Sequence, residues 1–386
     1  LISRGKPWRG FVIGDGGLIW LIFSERGIAL SKFSGPMAIS PRRPEGGDER
    51  MKKVLITGAS GFIGGHLVEA NLRRGNSVRA MVLPGDPGAE RLSKMKGVQT
   101  MSGDVRDYDS VRRACAGMDI VFHCAAVVTD WAPRALYREV TIRGTENMCR
   151  AALAANVSRF VDMSTNDVFG IDEKNLMDET YPLRKWGEPY PDSKIEAERI
   201  TWRFHREHGL PVTMVYPCWV FGPGDMTFVY PLAEAIVKRD LVFWRRKVIV
   251  WPAYIENLVD LLMLISVDGR AVGNGYLVHD GEYVTLQDFC KGIADALGSP
   301  QARLHIPYFA AYAASFVMEL VWKALGKTER PLLTTYVVKN LGSRFRFSIA
   351  KAERELGWKP KVPFQEGFMH TMEWLKTLDI DKPAAK

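Results

Sequence analysis

Residues 52–64 read KKVLITGASGFIG, and this stretch limits the fold of the chain more than any other. Val54, Leu55 and Ile56 form an apolar run suited to a strand buried on both faces of a parallel sheet. Thr57 and Gly58 open a tight turn, and Gly61 and Gly64 follow at three-residue steps into an amphipathic stretch over 62–72. Strand, glycine turn and helix start together make a phosphate cradle. Glycines let a pyrophosphate approach the backbone, and the free N–H groups of the first helical turn point at it. A glycine triplet alone is weak evidence, but this one stands between a strand and a helix, where the motif needs it. The segment predicts a dinucleotide site lined by Thr57, Gly58, Ser60, Gly61, Phe62, Ile63 and Gly64.

Strand and helix patterns then alternate, which predicts an α/β fold with a Rossmann-type, doubly wound parallel sheet. Further strands are expected at 77–83, 98–101, 119–124, 159–164 and 212–216. The longest helical stretch covers 134–155, and another helix starts near Pro191 and closes at Gly209. Beyond about residue 222 the pattern loosens into helices at 226–239, 255–266 and 285–297 with short strands such as 276–279. The expected organisation is a dinucleotide-binding domain over 51–221, a smaller, mainly substrate-binding lobe over 222–376, and a tail at 377–386. Residues 1–50 do not continue the pattern and are expected to be a poorly ordered extension ahead of MKKVLITG. A signal peptide is the lesser alternative: Asp15 interrupts the apolar region, and Glu25-Arg26 stand where small residues should mark cleavage.

Charge and cysteine usage exclude several functions. The net charge of +8 is scattered, with no basic run longer than Arg245-Arg246-Lys247, so no nucleic-acid stripe is expected. The five cysteines form no C-x-x-C pair, which argues against a disulfide framework or a metal site and suits the reducing cytoplasm. No run of 18 apolar residues occurs, so no spanning helix is expected. The uncharged stretch 306–318 is too short to span; it predicts a buried helix, an apolar lid over a lipophilic substrate, or a shallow membrane contact.

Two places bear on the cofactor. An acid at the end of the second strand binds a free ribose 2′-hydroxyl, whereas an arginine accepts a 2′-phosphate. Here Val82-Leu83 is followed by Pro84-Gly85-Asp86, so neither residue stands at the strand end and Asp86 comes late. NAD or NADP both remain open, with NAD slightly favoured. Asp104-Val105 after the third strand is placed to cap an adenine edge, though such an aspartate is more often a helix cap. Cys124, Ala125 and Ala126 are small enough for a flat ligand to lie against the backbone, while His123 reads as a packed strand-end histidine.

Tyr190 and Lys194 carry the chemistry. With Pro191 at the first helical position, Tyr190 would sit at a helix mouth and Lys194 one turn on, on the same face. An ammonium near a phenol favours the phenolate and makes tyrosine a usable general acid/base. The spacing alone is more often a surface pair. Thr165, just after the fifth strand, adds a hydroxyl able to hold a substrate oxygen beside Tyr190.

With these residues in view, the chain resembles the extended short-chain dehydrogenase/reductase family from about Lys52 to about Leu375. The likeness rests on TGASGFIG at 57–64, Asp104-Val105, HCAA at 123–126, STNDVFG at 164–170 and YPDSK at 190–194. PCWVFGPGD at 217–225 and AKAERELGWKPKVPFQEG at 350–367 add to it, and PLLTTYVVKNL at 331–341 resembles the 3β-hydroxysteroid dehydrogenase branch. The resemblance implies Thr165, Tyr190 and Lys194 as the catalytic set, a Lys194 contact to the nicotinamide ribose, and Pro217 and Val220 beside the nicotinamide. It also implies a homodimer. Three departures matter. Asn166 replaces the acid of sugar-nucleotide dehydratases, Thr141 a common asparagine, and Tyr216 a pyrophosphate-binding arginine. The expected activity is NAD(P)-dependent interconversion of a secondary alcohol and ketone on an apolar, sterol-like or acyl-like small molecule. The alternatives are a nucleotide-sugar 4-epimerase and a non-catalytic redox sensor.

Overall fold

Alternation along the first strand divides the interior between two layers. The computed structural model describes residues 12–14, 17–19, 51–245, 247–302 and 304–380. In β1 (Lys53–Thr57), Val54 and Ile56 join one buried cluster and Leu55 the other. A strand buried on both faces needs helices on both sides, each such aliphatic side chain contributing about 1.5–3 kcal/mol by burial.

The strands β2 (Ser77–Val82), β3 (Val98–Ser102), β4 (Ile120–His123), β5 (Arg159–Met163), β6 (Val212–Pro217) and β7 (Asn274–Val278) complete a parallel sheet. Its order is β3-β2-β1-β4-β5-β6-β7. The order reverses between β1 and β4, and the crevice at their carboxyl ends is where such sheets take ligands. On one face α1 (Phe62–Arg73) packs beside α7 (Ile255–Ile265). On the other, α3 (Tyr108–Cys115), α4 (Gly144–Ala154) and α5 (Pro189–His208) lie side by side, while the short α2 (Gly88–Ser93) lies against β3 on the α1 face, its Leu92 in the same cluster as Val54 and Ile56. The remaining helices are α6 (Val229–Val237), α8 (Leu286–Leu297), α9 (Tyr308–Ala324), α10 (Thr335–Gly342), α11 (Ala350–Leu356) and α12 (Phe364–Lys376).

The doubly wound sheet is as the sequence predicts, with four departures. The strand expected inside the smaller lobe is β7, the seventh strand of the main sheet; Tyr276, Leu277 and Val278 are fully buried, which the interior of a parallel sheet requires. Helix α5 begins at Pro189 rather than near Pro191, because both prolines fall in a first turn whose N–H groups have no helical partner. The long stretch 134–155 is broken by a π-helical segment, Tyr137–Arg143, that packs against α5. The apolar stretch 306–318 forms most of α9, of which only Ala311 and Ser315 are buried, so it is not a core helix.

The extension expected over 1–50 lies outside the described residues, apart from an antiparallel pair between Val12–Gly14 and Gly17–Ile19. The expected tail lies outside them from residue 381. Among the described residues no helix is long and apolar enough to cross a membrane.

Candidate active site

The glycine loop is shaped by backbone contacts. Gly58 sits at φ +65°, and a Cβ there would lie 3.1 Å from Ala125 N, so the first turn presses on the residues after β4. A Cβ on Gly64 would come within 2.1 Å of the Gly58 carbonyl oxygen. Helix α1 starts at Gly61 with no side-chain cap and no acid in its first turn. Its free N–H groups and the bare backbone of Gly58 and Gly61 fit a dinucleotide pyrophosphate.

A polar chain fixes the crevice. Thr145 donates to the Thr141 carbonyl at 2.6 Å, so His123 Nε2–H donates to Thr145 Oγ1 at 3.1 Å. The other ring nitrogen then accepts from the Thr57 hydroxyl at 2.9 Å, and that oxygen accepts from Ala125 N at 3.2 Å. Burial lowers the His123 pKa to about 3, which keeps the ring neutral as this chain needs. His123 is thus the packed strand-end histidine the sequence predicts. Thr141 lies in the π-helical segment, and its hydroxyl accepts from Val127 N at 3.2 Å, which ties down the chain after β4.

The other expected cofactor residues fall around this crevice. Cys124, Ala125 and Ala126 line its floor, partly exposed; burial pushes the Cys124 thiol up to about 12. Phe62 lies against Gly222 and Gly224, and His66 Nε2 donates to the Pro223 carbonyl at 3.0 Å, so the segment after Pro217 folds back over α1. Val220 pairs with Ala253 at its base, and the buried Asp225 anchors its far end by accepting from the N–H groups of Thr227, Phe228 and Val229. Asp104 holds its own Arg106, with Nη2 at 2.6 Å. Val105 is buried under α4, where a Cβ on Gly144 would meet its methyl at 2.6 Å, so its side chain packs. Asp86 is the surprise. Its carboxylate accepts from Ser60 Oγ at 2.6 Å and Gly88 N at 2.7 Å, so the acid that comes late in sequence returns to the glycine loop.

Thr165, Tyr190 and Lys194 come together at the carboxyl end of β5. Thr165 caps the short turn Asn166–Phe169, its hydroxyl accepting from Asp167 N at 3.3 Å, and it lies near the Tyr190 hydroxyl in the first turn of α5. Lys194, one turn on, is buried and donates to the Met163 carbonyl at 2.7 Å. The expected acidification of the phenol by this ammonium is not what the structure shows. Burial and the Asp167 carboxylate hold Tyr190 above the ordinary phenol value, against the nearby Thr165 hydroxyl, while Lys194 answers to Asp162, Cys124 and Glu198. Burial lowers the Lys194 pKa from its usual value. One helical turn brings the two residues onto one face, but the ammonium turns down to the end of β5.

Residues with no role foreseen complete the surroundings. Asp167 is buried beside Tyr190 and accepts from the Tyr336 hydroxyl at 2.6 Å and from Asn340 Nδ2 at 3.3 Å. Burial raises its pKa to about 6 in spite of both bonds. The Tyr336 ring stands edge-on to Tyr190 with centroids 6.1 Å apart, and Trp186 lies 5.7 Å from Tyr336. Glu188, just before α5, pairs with Lys339 at 2.6 Å, which ties the mouth of α5 to α10. The only sequence signal for these contacts was the segment 331–341, noticed for its likeness and not for its side chains. Tyr216, in place of an arginine, is buried and donates to Glu198 at 2.7 Å.

The chain resembles known proteins in sequence and in fold. The profile described as "NAD dependent epimerase/dehydratase family" matches residues 54–267. A 3 beta-hydroxysteroid dehydrogenase/Delta 5-->4-isomerase of Mycobacterium tuberculosis is 29% identical over 347 residues, covering 84% of this chain and 91% of that protein. A 4-hydroxy-2-methyl-3-oxo-4-farnesyl-3,4-dihydroquinoline-1-oxide ketoreductase of Stigmatella aurantiaca is 30% identical, over 82% of this chain and 94% of its own. The crystal structure of a dTDP-glucose 4,6-dehydratase from Streptomyces venezuelae shares the fold at a TM-score of 0.69 and 22% identity, covering 84% of this chain and 97% of that one. The chain belongs to the NAD dependent epimerase/dehydratase family, within the extended short-chain dehydrogenases/reductases, and is a nicotinamide-dependent enzyme of that family.

Proposed function

We propose that this enzyme interconverts a secondary alcohol and a ketone on an apolar, flat or extended body, with Tyr190 as general acid/base. One observation carries the substrate class. Beside the Tyr190 phenol stands an aromatic shelf of Tyr336, Trp186 and Phe345, the last 6.1 Å from Trp186. Aromatic faces and edges stabilise flat apolar bodies by burial and ring packing. The buried Tyr216, committed to Glu198, offers no cation for a sugar-nucleotide pyrophosphate. The names of the two relatives, a steroid dehydrogenase and a farnesylated-quinoline ketoreductase, point the same way.

In oxidation, Tyr190 as phenolate takes the proton of the substrate hydroxyl, and Thr165 holds that oxygen in line. Lys194, anchored on Met163, fixes the floor below and would hold the cofactor ribose. NAD, when bound, supplies the hydride acceptor at the carbinol carbon. In the reverse direction Tyr190 returns the proton to the forming alkoxide. Burial and Asp167 together set the pH at which this happens, since burial and then the Asp167 charge disfavour the phenolate. Asp167→Asn should therefore move the alkaline rise of alcohol oxidation to lower pH by about one unit. Tyr336→Phe keeps the charge and should move it little. A pH profile of kcat/KM for the three proteins checks both.

Asp86 supports NAD over NADP, since a carboxylate bonded to Ser60 repels a 2′-phosphate. The test of the activity is NADH and NADPH oxidation with steroid and long-chain ketones, set against epimerisation of UDP-glucose. Turnover of apolar ketones with NADH is expected, and Asp86→Ser should raise the KM for NADH and bring NADPH into use. UDP-glucose epimerisation without ketone reduction would overturn the reading in favour of the epimerase. Cofactor binding with no turnover at all would favour the redox sensor. The five free cysteines suit a cytoplasmic setting.

A further inference from the structure

Helix α9 leaves an apolar stripe open to solvent. Phe309, Ala313, Phe316, Val317 and Leu320 recur at helical spacing along one side, and all five are exposed, Phe309 by 75% and Leu320 by 59%. The one charged residue between Tyr308 and Trp322 is Glu319; one of its oxygens turns inward, accepting from Thr335 N at 2.7 Å and from Thr335 Oγ1 at 2.8 Å, and the other accepts from Lys323 at 3.2 Å. The one carboxylate beside the stripe is thus little exposed and already committed to Thr335 and Lys323. At its carboxyl end two exposed lysines each lie over an indole ring: Lys323 is 5.4 Å from the Trp131 centroid and Lys327 is 4.5 Å from that of Trp322.

We propose that this face docks on the surface of an anionic lipid bilayer, with α9 lying in the interface plane. An apolar stripe bounded by lysines and indoles is the pattern of a helix that sinks its hydrophobic side into the acyl boundary and leaves its cations at the headgroups. Helix α9 cannot cross, because among the described residues no helix is long and apolar enough. The charge fits an anionic surface: the chain carries +8, and the lysines sit beside the stripe. A second copy fits less well, because the one carboxylate beside the stripe is already taken by Thr335 and Lys323, so self-pairing offers none to Lys327. Glu319 also links this face to the site, since it holds the first residue of α10 and Tyr336 follows directly. Docking would set the site beside a bilayer that dissolves its substrate; this last step rests on the apolar-substrate reading, whereas docking itself does not.

The experiment is co-sedimentation of the full chain with phosphatidylcholine vesicles, with and without phosphatidylglycerol, for the parent and for the triple variant Phe309→Ser/Phe316→Ser/Leu320→Ser. The parent is expected to sediment with the anionic vesicles, and the variant to bind them at least about tenfold more weakly with unchanged NADH binding. Lys323→Gln/Lys327→Gln should weaken only the anionic preference. The proposal is overturned if the parent stays in the supernatant with both vesicles or if the triple variant binds as the parent does. It is equally overturned if the parent is a dimer in solution, binds no vesicles, and becomes a monomer in the triple variant, which would make the face an interface between copies. None of these readouts requires turnover, so failure of the proposed activity would leave them intact.

Discussion

Tyr190→Phe is expected to lower kcat by about 10²–10⁴-fold while NADH binds as tightly as to the parent. The change deletes one oxygen and leaves a ring of the same size between Thr165 and Tyr336. Thr165, Lys194 and Asp167 cannot take over the proton. The Thr165 hydroxyl is far too weak an acid, and Lys194 is turned to the Met163 carbonyl at 2.7 Å. The Asp167 carboxylate is enclosed by Tyr336 and Asn340. Single-turnover hydride transfer, followed by loss of NADH absorbance, separates a chemical defect from slow product release. Fluorescence titration with NADH checks that the crevice is intact. Thr165→Val should cost less, because Tyr190 keeps its oxygen and loses only the partner that aligns it. If Tyr190→Phe kept most of its activity, the acid would have to be the Tyr336 hydroxyl, which reaches the same space from α10.

That possibility marks the divide between what the sequence discloses and what it does not. The glycine turn and its flanking strand are legible because sheet burial and phosphate binding both act over a dozen consecutive residues. Leu55 and its two neighbours alternate between layers as a doubly wound sheet demands. The partnership of Thr165, Tyr190 and Lys194 is legible because one helical turn and one strand end fix it locally. Asp86 reads as late for a strand-end acid because its number along the chain says nothing of where a loop returns. Only the bond to Ser60, across 26 residues, reveals its place. Tyr336 and Asn340 stand further off, since their contacts to Asp167 span 169 and 173 residues. The same limit explains the misplaced strand β7. Tyr276-Leu277-Val278 looks equally suited to a small lobe or to the edge of the main sheet, and the pairing with β6 decides it. The direction of the Lys194 ammonium was beyond spacing altogether, because helical register sets the face of a side chain and not the aim of a four-carbon stem. Hence the phenol is held up by burial and by a carboxylate that no local spacing assigns there.

Gly64→Ala should abolish cofactor binding more completely than loss of any single side chain in the crevice. The added methyl would sit 2.1 Å from the Gly58 carbonyl oxygen, 2.8 Å from its carbon and 2.9 Å from the Cα of Ala59. All three are backbone atoms, so no rotamer change relieves the overlap. Gly58 cannot retreat, because its own Cα already faces Ala125 so closely that a Cβ there would lie 3.1 Å from Ala125 N. The remaining outlet is for α1 to move away from β1, which opens the interior under Leu67 and Val68, both fully buried. Overpacking of this kind costs about 1–3 kcal/mol or more and takes the first-turn N–H groups off the pyrophosphate. An affinity for NADH reduced by about 100-fold or more is expected, together with a Tm lower by several degrees. Gly65→Ala is the control, one residue further on. There the new methyl meets only the end of the flexible Arg91 side chain at 3.1 Å, and alanine in a helix interior is favoured over glycine by about 1 kcal/mol. Gly65→Ala should therefore bind NADH within about twofold of the parent and melt no lower. Equal losses in the two variants would mean that α1 is sensitive to bulk along its whole inner face, and that the turn from Gly58 to Gly64 has no special part in holding the dinucleotide.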